Sequence, residues 1–256
     1  MKASKITSNK EKLVFLLEGC TDTFANTIRR MILEEVPTLA IEDVEIKDNN
    51  TALYDEMLAL RLGLIPIKTD LTSYRLPKNE DEITERSAQC TLQIKLKSAK
   101  KGVVRAGDAE SADSKCTFVQ SDVPVVKLLS KQKLDLTMTA VVGQGKEHTK
   151  WSPGMAFYKK EAIVKVGKVK DPKFIADSSS DGVFTLKAGS LSVNADKVNA
   201  SHLLNYYAEL DEGINVTYTD NKIFTVESWG QLSCKDMLTK SAEILFEKAE
   251  EMESEL

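Results

Sequence analysis

FANTIRRMILEEV, residues 24–36, decides the fold. At helical spacing Phe24, Ile28, Met31 and Ile32 form one stripe, and Ala25, Leu33 and Val36 broaden it. A helix apolar around so much of its girth needs cover on more than one side. Asn26, Arg29 and Arg30 fall on the margins, where an arginine stem can lie on apolar surface while its guanidinium bonds carboxylates or carbonyls of a neighbour. Two readings stay open: a pair of solvated arginines on a surface helix, or cations that meet another chain.

Upstream, KLVFLL (12–17) has a strand's apolar content and Gly19 follows as a turn signal. Asp22 can cap the helix, and Pro37 stops it at Val36 by disfavouring helical geometry in the residue before it. TLAIEDVEIK (38–47) alternates as a strand with one wet side. A short helix from about Tyr54 to Leu62 carries Leu53, Met57, Leu60 and Leu64 at helical spacing, with Gly63 placed to end it. From about 90 to 165 strands dominate, in TLQIKL, VVRA, KLDLTMTAVV and FYKKEAIVKV, separated by polar loops. Residues 170–215 have polar turns around two short apolar runs, then a helical ASHLLNYYAEL, and read as a small module of their own. INVTYTDNKIFTVES reads as two strands joined at Asp220-Asn221, and Ser233 opens a Ser-x-x-Asp cap for a long terminal helix.

In that last helix Leu238, Ala242, Leu245, Ala249 and Met252 are spaced 4, 3, 4, 3, a heptad seam that Met237 and Ile244 widen. The stripe can pack on its own sheet, and its small alanines equally permit close approach of another helix. Burying such a seam supplies roughly 1.5–3 kcal/mol per large side chain, so full exposure is not expected.

The remaining features exclude more than they assign. The chain has 256 residues, 42% hydrophobic and 29% charged, enough for a sizeable core. A net charge of −4 and a pI near 5.5 give no global reason to bind nucleic acid. There is no secretory signal and no long apolar run, so an intracellular, cytoplasmic protein without a membrane anchor is expected. Cys20, Cys90, Cys116 and Cys234 stand far apart, and His148 and His202 are isolated, so no metal site is expected. GQGK (143–146) falls short of a phosphate loop: Glu147 follows the lysine, and the chain returns to strand instead of entering a helix.

The run FANTIRRMILEEVPTLAIEDVEIKDNNTALYDEMLALRLGLIPI (24–67) resembles the dimerisation region of the α-like subunits of RNA polymerases, most closely the archaeal D subunits. The likeness continues in order through VVRAGD (103–108), VPVVKLLSKQKLDL (123–136), GQGKEHTKWSPGMAFYKK (143–160) and FTVESWGQLS (224–233). It implies an α+β fold in which residues 1–48 and 220–256 form a discontinuous dimerisation domain. Residues 49–164 would be an inserted, mostly β domain, and 165–219 a ferredoxin-like insert. It implies a non-catalytic assembly subunit that pairs with a smaller α-like partner, subunit L, and serves as platform for the large catalytic subunits. Subunits N and P would join the platform, and DNA would be met only indirectly. No catalytic residue is expected. The interface carried over by this likeness comprises Phe24, Asn26, Ile28, Arg29, Arg30 and Leu33 on the pairing helix, and Leu238, Ala242, Leu245, Ala249 and Met252 on the terminal helix. Arg61, Gly63 and Pro66 match the passage into the inserted domain, and His148, Lys150 and Trp151 match a loop there that is either a subunit contact or a turn held by a buried indole.

Two departures set expectations. Eukaryotic counterparts often carry zinc-binding cysteines after the RLGLIPI-like segment, where only Cys90 stands here, so zinc is not expected. Many archaeal D subunits hold an iron–sulfur cluster in the insert, but 170–215 contains no cysteine and nothing soft and anionic to hold iron. That also disfavours an electron-transfer ferredoxin. The insert is expected to rest on a small core of Val183, Phe184, Leu186, Leu191, Val193, Leu203, Leu204 and Tyr207. A bacterial-type α homodimer is the nearest rival within the family, but its C-terminal DNA-binding module would need a linker and about another domain's length beyond the dimerisation helix; a scaffold outside transcription is the remaining alternative.

Overall fold

The computed structural model describes residues 1–187 and 189–255. In chain order the elements are β1 (Lys2–Ser8), β2 (Lys12–Glu18), α1 (Asp22–Arg30) with a π-helical turn over Met31–Glu35, β3 (Thr38–Asn49), α2 (Asp55–Gly63) and α3 (Glu80–Thr84). Then come β4 (Thr91–Ser98), β5 (Gly102–Arg105), β6 (Glu110–Ser111), β7 (Pro124–Leu128), β8 (Leu134–Gly143) and β9 (Gly154–Val166). The chain continues through α4 (Pro172–Ser178), β10 (Phe184–Lys187), β11 (Ser190–Val193), α5 (Ala195–Val198), α6 (Leu204–Leu210), β12 (Ile214–Ser228) and α7 (Cys234–Glu255). The fold is mixed α+β with several sheets, ordered β1-β2-β12-β9, β3-β8-β4-β6, β5-β7 and β10-β11. The residues gather into two compact units: 1–7, 14–25 and 157–225 in one, and 8–13, 26–156 and 226–256 in the other.

The larger unit is organised by β8, whose near-continuous apolar run LDLTMTAVVG lies between β3 and β4 and is buried almost throughout. Both neighbours run antiparallel to it, with Leu39 opposite Val142 and Leu96 opposite Leu136. β3 is buried on both faces from Thr38 to Ile41 and partly wet beyond, after an irregularity between Ile41 and Asp43. Leu58 and Leu62 of α2 close this core with Ile67, Ile94 and Met138. Met57, Leu60 and Leu64, whose spacing suggests the inward stripe, are exposed instead. Apolar residues line nearly every side of 53–64, so periodicity could not choose the face; packing on β3 did.

In the smaller unit Phe15 and Tyr158 both stack on Phe224, at 5.3 and 6.1 Å between ring centroids. β12 is one strand of fifteen residues, not two joined at Asp220-Asn221. Neither residue takes the positive φ that a tight hairpin turn requires, and Asn221 Nδ2 donates to Glu161 instead. β1 leaves no signal in the sequence because KASKITS has too few apolar residues to mark a strand.

Also in the smaller unit, Val183, Phe184, Leu204 and Tyr207 are buried, with Leu191 and Val193 packed against them, whereas Leu186 and Leu203 face outward. Ala162, Ile175, Val198 and Ile214 complete the core. Phe184 and Tyr207 meet edge to face at 5.2 Å. Asp181 ties the module together: its carboxylate accepts from the Tyr207 hydroxyl at 3.0 Å, the Ser179 hydroxyl at 2.9 Å, the Val183 amide at 3.2 Å and the Ser201 hydroxyl. Burial alone would raise its pKa, but these donors, Ser201 foremost, hold it below the usual carboxylate value.

Asp181→Ala removes one acceptor from four donors and is expected to destabilise the smaller unit by about 1–3 kcal/mol. Hydrogen exchange should show protection lost across 183–207 and retained in β4 and β8; unchanged protection over 183–207 would refute the role given to Asp181.

Candidate subunit interface

α1 opens with the Thr21 hydroxyl accepting the Phe24 amide at 3.2 Å, so Thr21 rather than Asp22 supplies the side-chain cap. Asp22 is the first helical residue and pairs at 2.9 Å with Lys222, whose side chain is only 2% exposed. That hydrogen bond holds the Asp22 carboxyl below its ordinary pKa. Phe24 stands exposed, Ala25 is buried, Asn26 is exposed, and Ile28 and Leu33 are half-buried. The arginines are bound along their own helix: Arg29 Nε donates to Asn26 at 3.1 Å, and Arg30 forks onto Glu34 at 3.2 and 2.9 Å. This fork keeps the Glu34 pKa low. Arg30 remains exposed, so its pair with Glu34 is a weak tether.

The helix does not run uniformly to Val36. Its last turn widens to π geometry, with the Val36 amide donating to Met31 at 3.2 Å before Pro37 ends it. Glu35 at its end is buried and meets three donors: Lys248 of α7 at 2.7 Å, Lys146 at 3.2 Å and Gln144 at 3.2 Å. Gln144 also donates to the Glu35 carbonyl at 2.7 Å. Burial pushes the Glu35 pKa up, but the lysine hydrogen bonds outweigh it and the net shift is downward.

GQGK, which fails the phosphate-loop pattern, is a packing device. A Cβ on Gly145 would lie 2.0 Å from the Leu33 carbonyl oxygen, and one on Gly143 2.5 Å from the Trp151 ring. Only glycine permits both approaches.

α7 is capped by Ser233, whose hydroxyl accepts the Asp236 amide at 3.2 Å. It buries Cys234, Met237, Ser241 and Ile244 within its own unit. The heptad residues lie one step round: Leu238 and Leu245 are half-buried, and Ala242, Ala249 and Met252 are exposed. Phe246, absent from the seam, is 63% exposed beside them. A strict 4-3 count passes over it. Met237 and Ile244, which in the sequence widen the seam, are the residues that seal it to the chain.

The other singled-out residues make contacts within the chain. Arg61 donates to the Val125 and Pro124 carbonyls at 3.1 and 2.6 Å. Trp151 is buried, with its indole donating to Val141 at 3.0 Å, while Lys150 lies 4.4 Å over its ring and also bonds Glu42. His148 accepts the Lys150 amide at 3.1 Å. The four cysteines are free and buried, and burial pushes the Cys116 thiol up to about 11. Among the described residues no group of three or more His, Cys, Asp or Glu could hold a metal ion, and no helix is long and apolar enough to cross a membrane.

The RNA polymerase Rpb3/Rpb11 dimerisation domain matches residues 14–249. The chain belongs to this family. It is 36% identical to DNA-directed RNA polymerase subunit Rpo3 of Methanosphaera stadtmanae, over 94% of this chain and 93% of the relative. The Rpo3 subunits of Pyrococcus horikoshii and Methanosarcina acetivorans are 31% and 35% identical, covering 100% and 93% of this chain and 98% and 91% of theirs. A family match spanning both ends and relatives matched over nearly their whole length make the chain a DNA-directed RNA polymerase subunit of archaeal type, acting in transcription.

The low Glu35 pKa fixes a pH dependence. A carboxyl whose folded pKa lies below its unfolded value of about 4.3 stabilises fully above that value and loses the contribution as pH falls through the folded one. Melting of Glu35→Gln should therefore fall below wild type at neutral pH, by about 1–3 kcal/mol, and converge with it in acid. Parallel curves across the acid range would refute this.

Proposed function

We propose that the chain is a non-catalytic assembly subunit of its polymerase, pairing with a smaller α-like subunit of the L type through α1, its π turn and α7. The heterodimer is the platform on which the large catalytic subunits gather, with subunits N and P joining it and DNA met only indirectly. The observation that carries this reading is the exposed flank of α7: Ala242, Phe246, Ala249 and Met252 lie outside the face that the helix seals within its own unit. On the pairing helix Phe24 is exposed and Ile28 and Leu33 are half-buried. Small alanines between larger apolar side chains suit close helix approach. Asn26, Arg29 and Arg30 rim that surface, and a guanidinium engaged only by a weak tether can exchange its partner for a carboxylate on a docking subunit. The dimerisation domain comprises 1–48 and 220–256, the mostly β insertion 49–164, and the small ferredoxin-like module 165–219. The protein works in the cytoplasm, and its own role requires neither zinc nor an iron–sulfur cluster.

Co-expression with the cognate smaller subunit is expected to yield a one-to-one complex by native mass measurement. Leu245→Asp should abolish it, because a carboxylate buried without a partner costs several kcal/mol. Arg30→Ala should leave melting of the isolated chain unchanged and weaken polymerase assembly. Wild-type pairing by Leu245→Asp would refute the α7 interface, and normal assembly by Arg30→Ala would return that residue to solvent.

A further inference from the structure

The smaller unit holds a feature that subunit pairing does not use. A cavity of about 240 Å³ opens between β9, the segment joining α5 to α6, and β12, and is walled by Lys159, Lys160, Asn199, His202, Asn205 and Tyr218. Among the described residues no carboxylate lines it. One amide is set as a donor. Asn199 Oδ1 accepts the Ala162 amide at 3.0 Å, and a main-chain N–H can only donate, so the oxygen must face it and Nδ2 is left over. Asn205 bonds the Tyr218 hydroxyl at 2.8 Å, and because a hydroxyl both donates and accepts, this amide is able to turn its Nδ2 toward the cavity. Lys159 is half-buried and, among the described residues, bonds only the Ser201 carbonyl, at 3.5 Å. Lys160 reaches one acid, Asp220, at 3.8 Å, and that carboxylate is fully exposed.

We propose that this cavity binds a single oxyanion group of phosphate size, with Lys159 as the central cation, Asn199 as a pre-set neutral donor and Asn205 turning its amide to the anion. A half-buried ammonium with no carboxylate near it is costly unless an anion of some kind compensates. Burial accordingly lowers the Lys159 pKa. The volume falls below the roughly 300–1,000 Å³ of sites that enclose a whole small molecule, so one charged group enters rather than a nucleotide. Two sources share this chemistry: free inorganic phosphate, and a phosphate of a nucleic-acid strand lying across the exposed Lys160 and His202 at the rim. The site would give the cysteine-free insert an electrostatic task independent of subunit pairing.

The test is calorimetric titration of the full chain at low salt with inorganic phosphate, and separately with a short oligoribonucleotide. Saturable phosphate binding is expected, weakened about tenfold or more in Lys159→Met and in Asn205→Asp, which places a negative charge beside the anion. Lys100→Met, in a loop of the larger unit, should bind as wild type. Far-UV dichroism checks each fold, and Asn205→Asp carries the test if Lys159→Met does not fold. Oligonucleotide binding that depends on Lys159, without binding of free phosphate, assigns the anion to nucleic acid and supports the site. Failure of wild type to bind either probe, or equal binding by all variants, overturns it.

Discussion

One buried carboxylate organises the region on which pairing would depend. Glu35 ends the π turn and collects Lys248 from α7, Lys146 from the loop after β8, and Gln144 at both its side chain and its carbonyl. Three segments far apart in sequence are thereby fixed to one point. A single ion pair on a wet surface is worth little, but a carboxylate with several donors and little solvent sets geometry. The Lys146 amide, donating to the Glu34 carbonyl at 3.1 Å, and Gly145, pressed against Leu33, close the same contact from the loop side. Which side of each helix stays outside follows from this anchoring.

Much of this was readable from residues, and the failures have physical causes. FANTIRRMILEEV announced a helix with more apolar surface than one face can bury, and the structure leaves Phe24 exposed and Ile28 and Leu33 half-buried. The 3.6-residue period of α7 was legible, but not which of two neighbouring stripes turns inward. Cys234, Met237, Ser241 and Ile244 follow the same 3-4 spacing as the heptad residues, one position earlier, and Ser241 gave no hydrophobic signal. Its hydroxyl is satisfied by the Leu238 carbonyl at 2.8 Å, which lets a polar residue sit at a fully buried position. Glu35 was invisible for the same reason: a burial driven by partners more than a hundred residues away leaves no local pattern.

The small core around Tyr207 shows the complementary case. Apolar positions of 183–207 predicted half of it; of the four misses, Ile175, Val198 and Ile214 lie in short elements or at an element's first residue, where periodicity has too few turns to register, and Ala162 lies on β9, outside the stretch read as the module. Asp181, with its four donors, was not anticipated, since hydroxyls converging on an acid are set by tertiary placement. The surplus of donors around Lys159 is of the same kind. It comes in part from which end of the Asn199 amide its neighbour occupies, a matter of orientation that composition does not record.

The four thiols carry a chemical corollary. A sulfhydryl must ionise and be reached before it can attack a disulfide or an alkylating reagent, and here all four are enclosed, with the ionisation of Cys90, Cys116 and Cys234 disfavoured by their surroundings. The thiols of the native fold are accordingly unreactive, and electrophile capture by these side chains reports the moments when the chain opens.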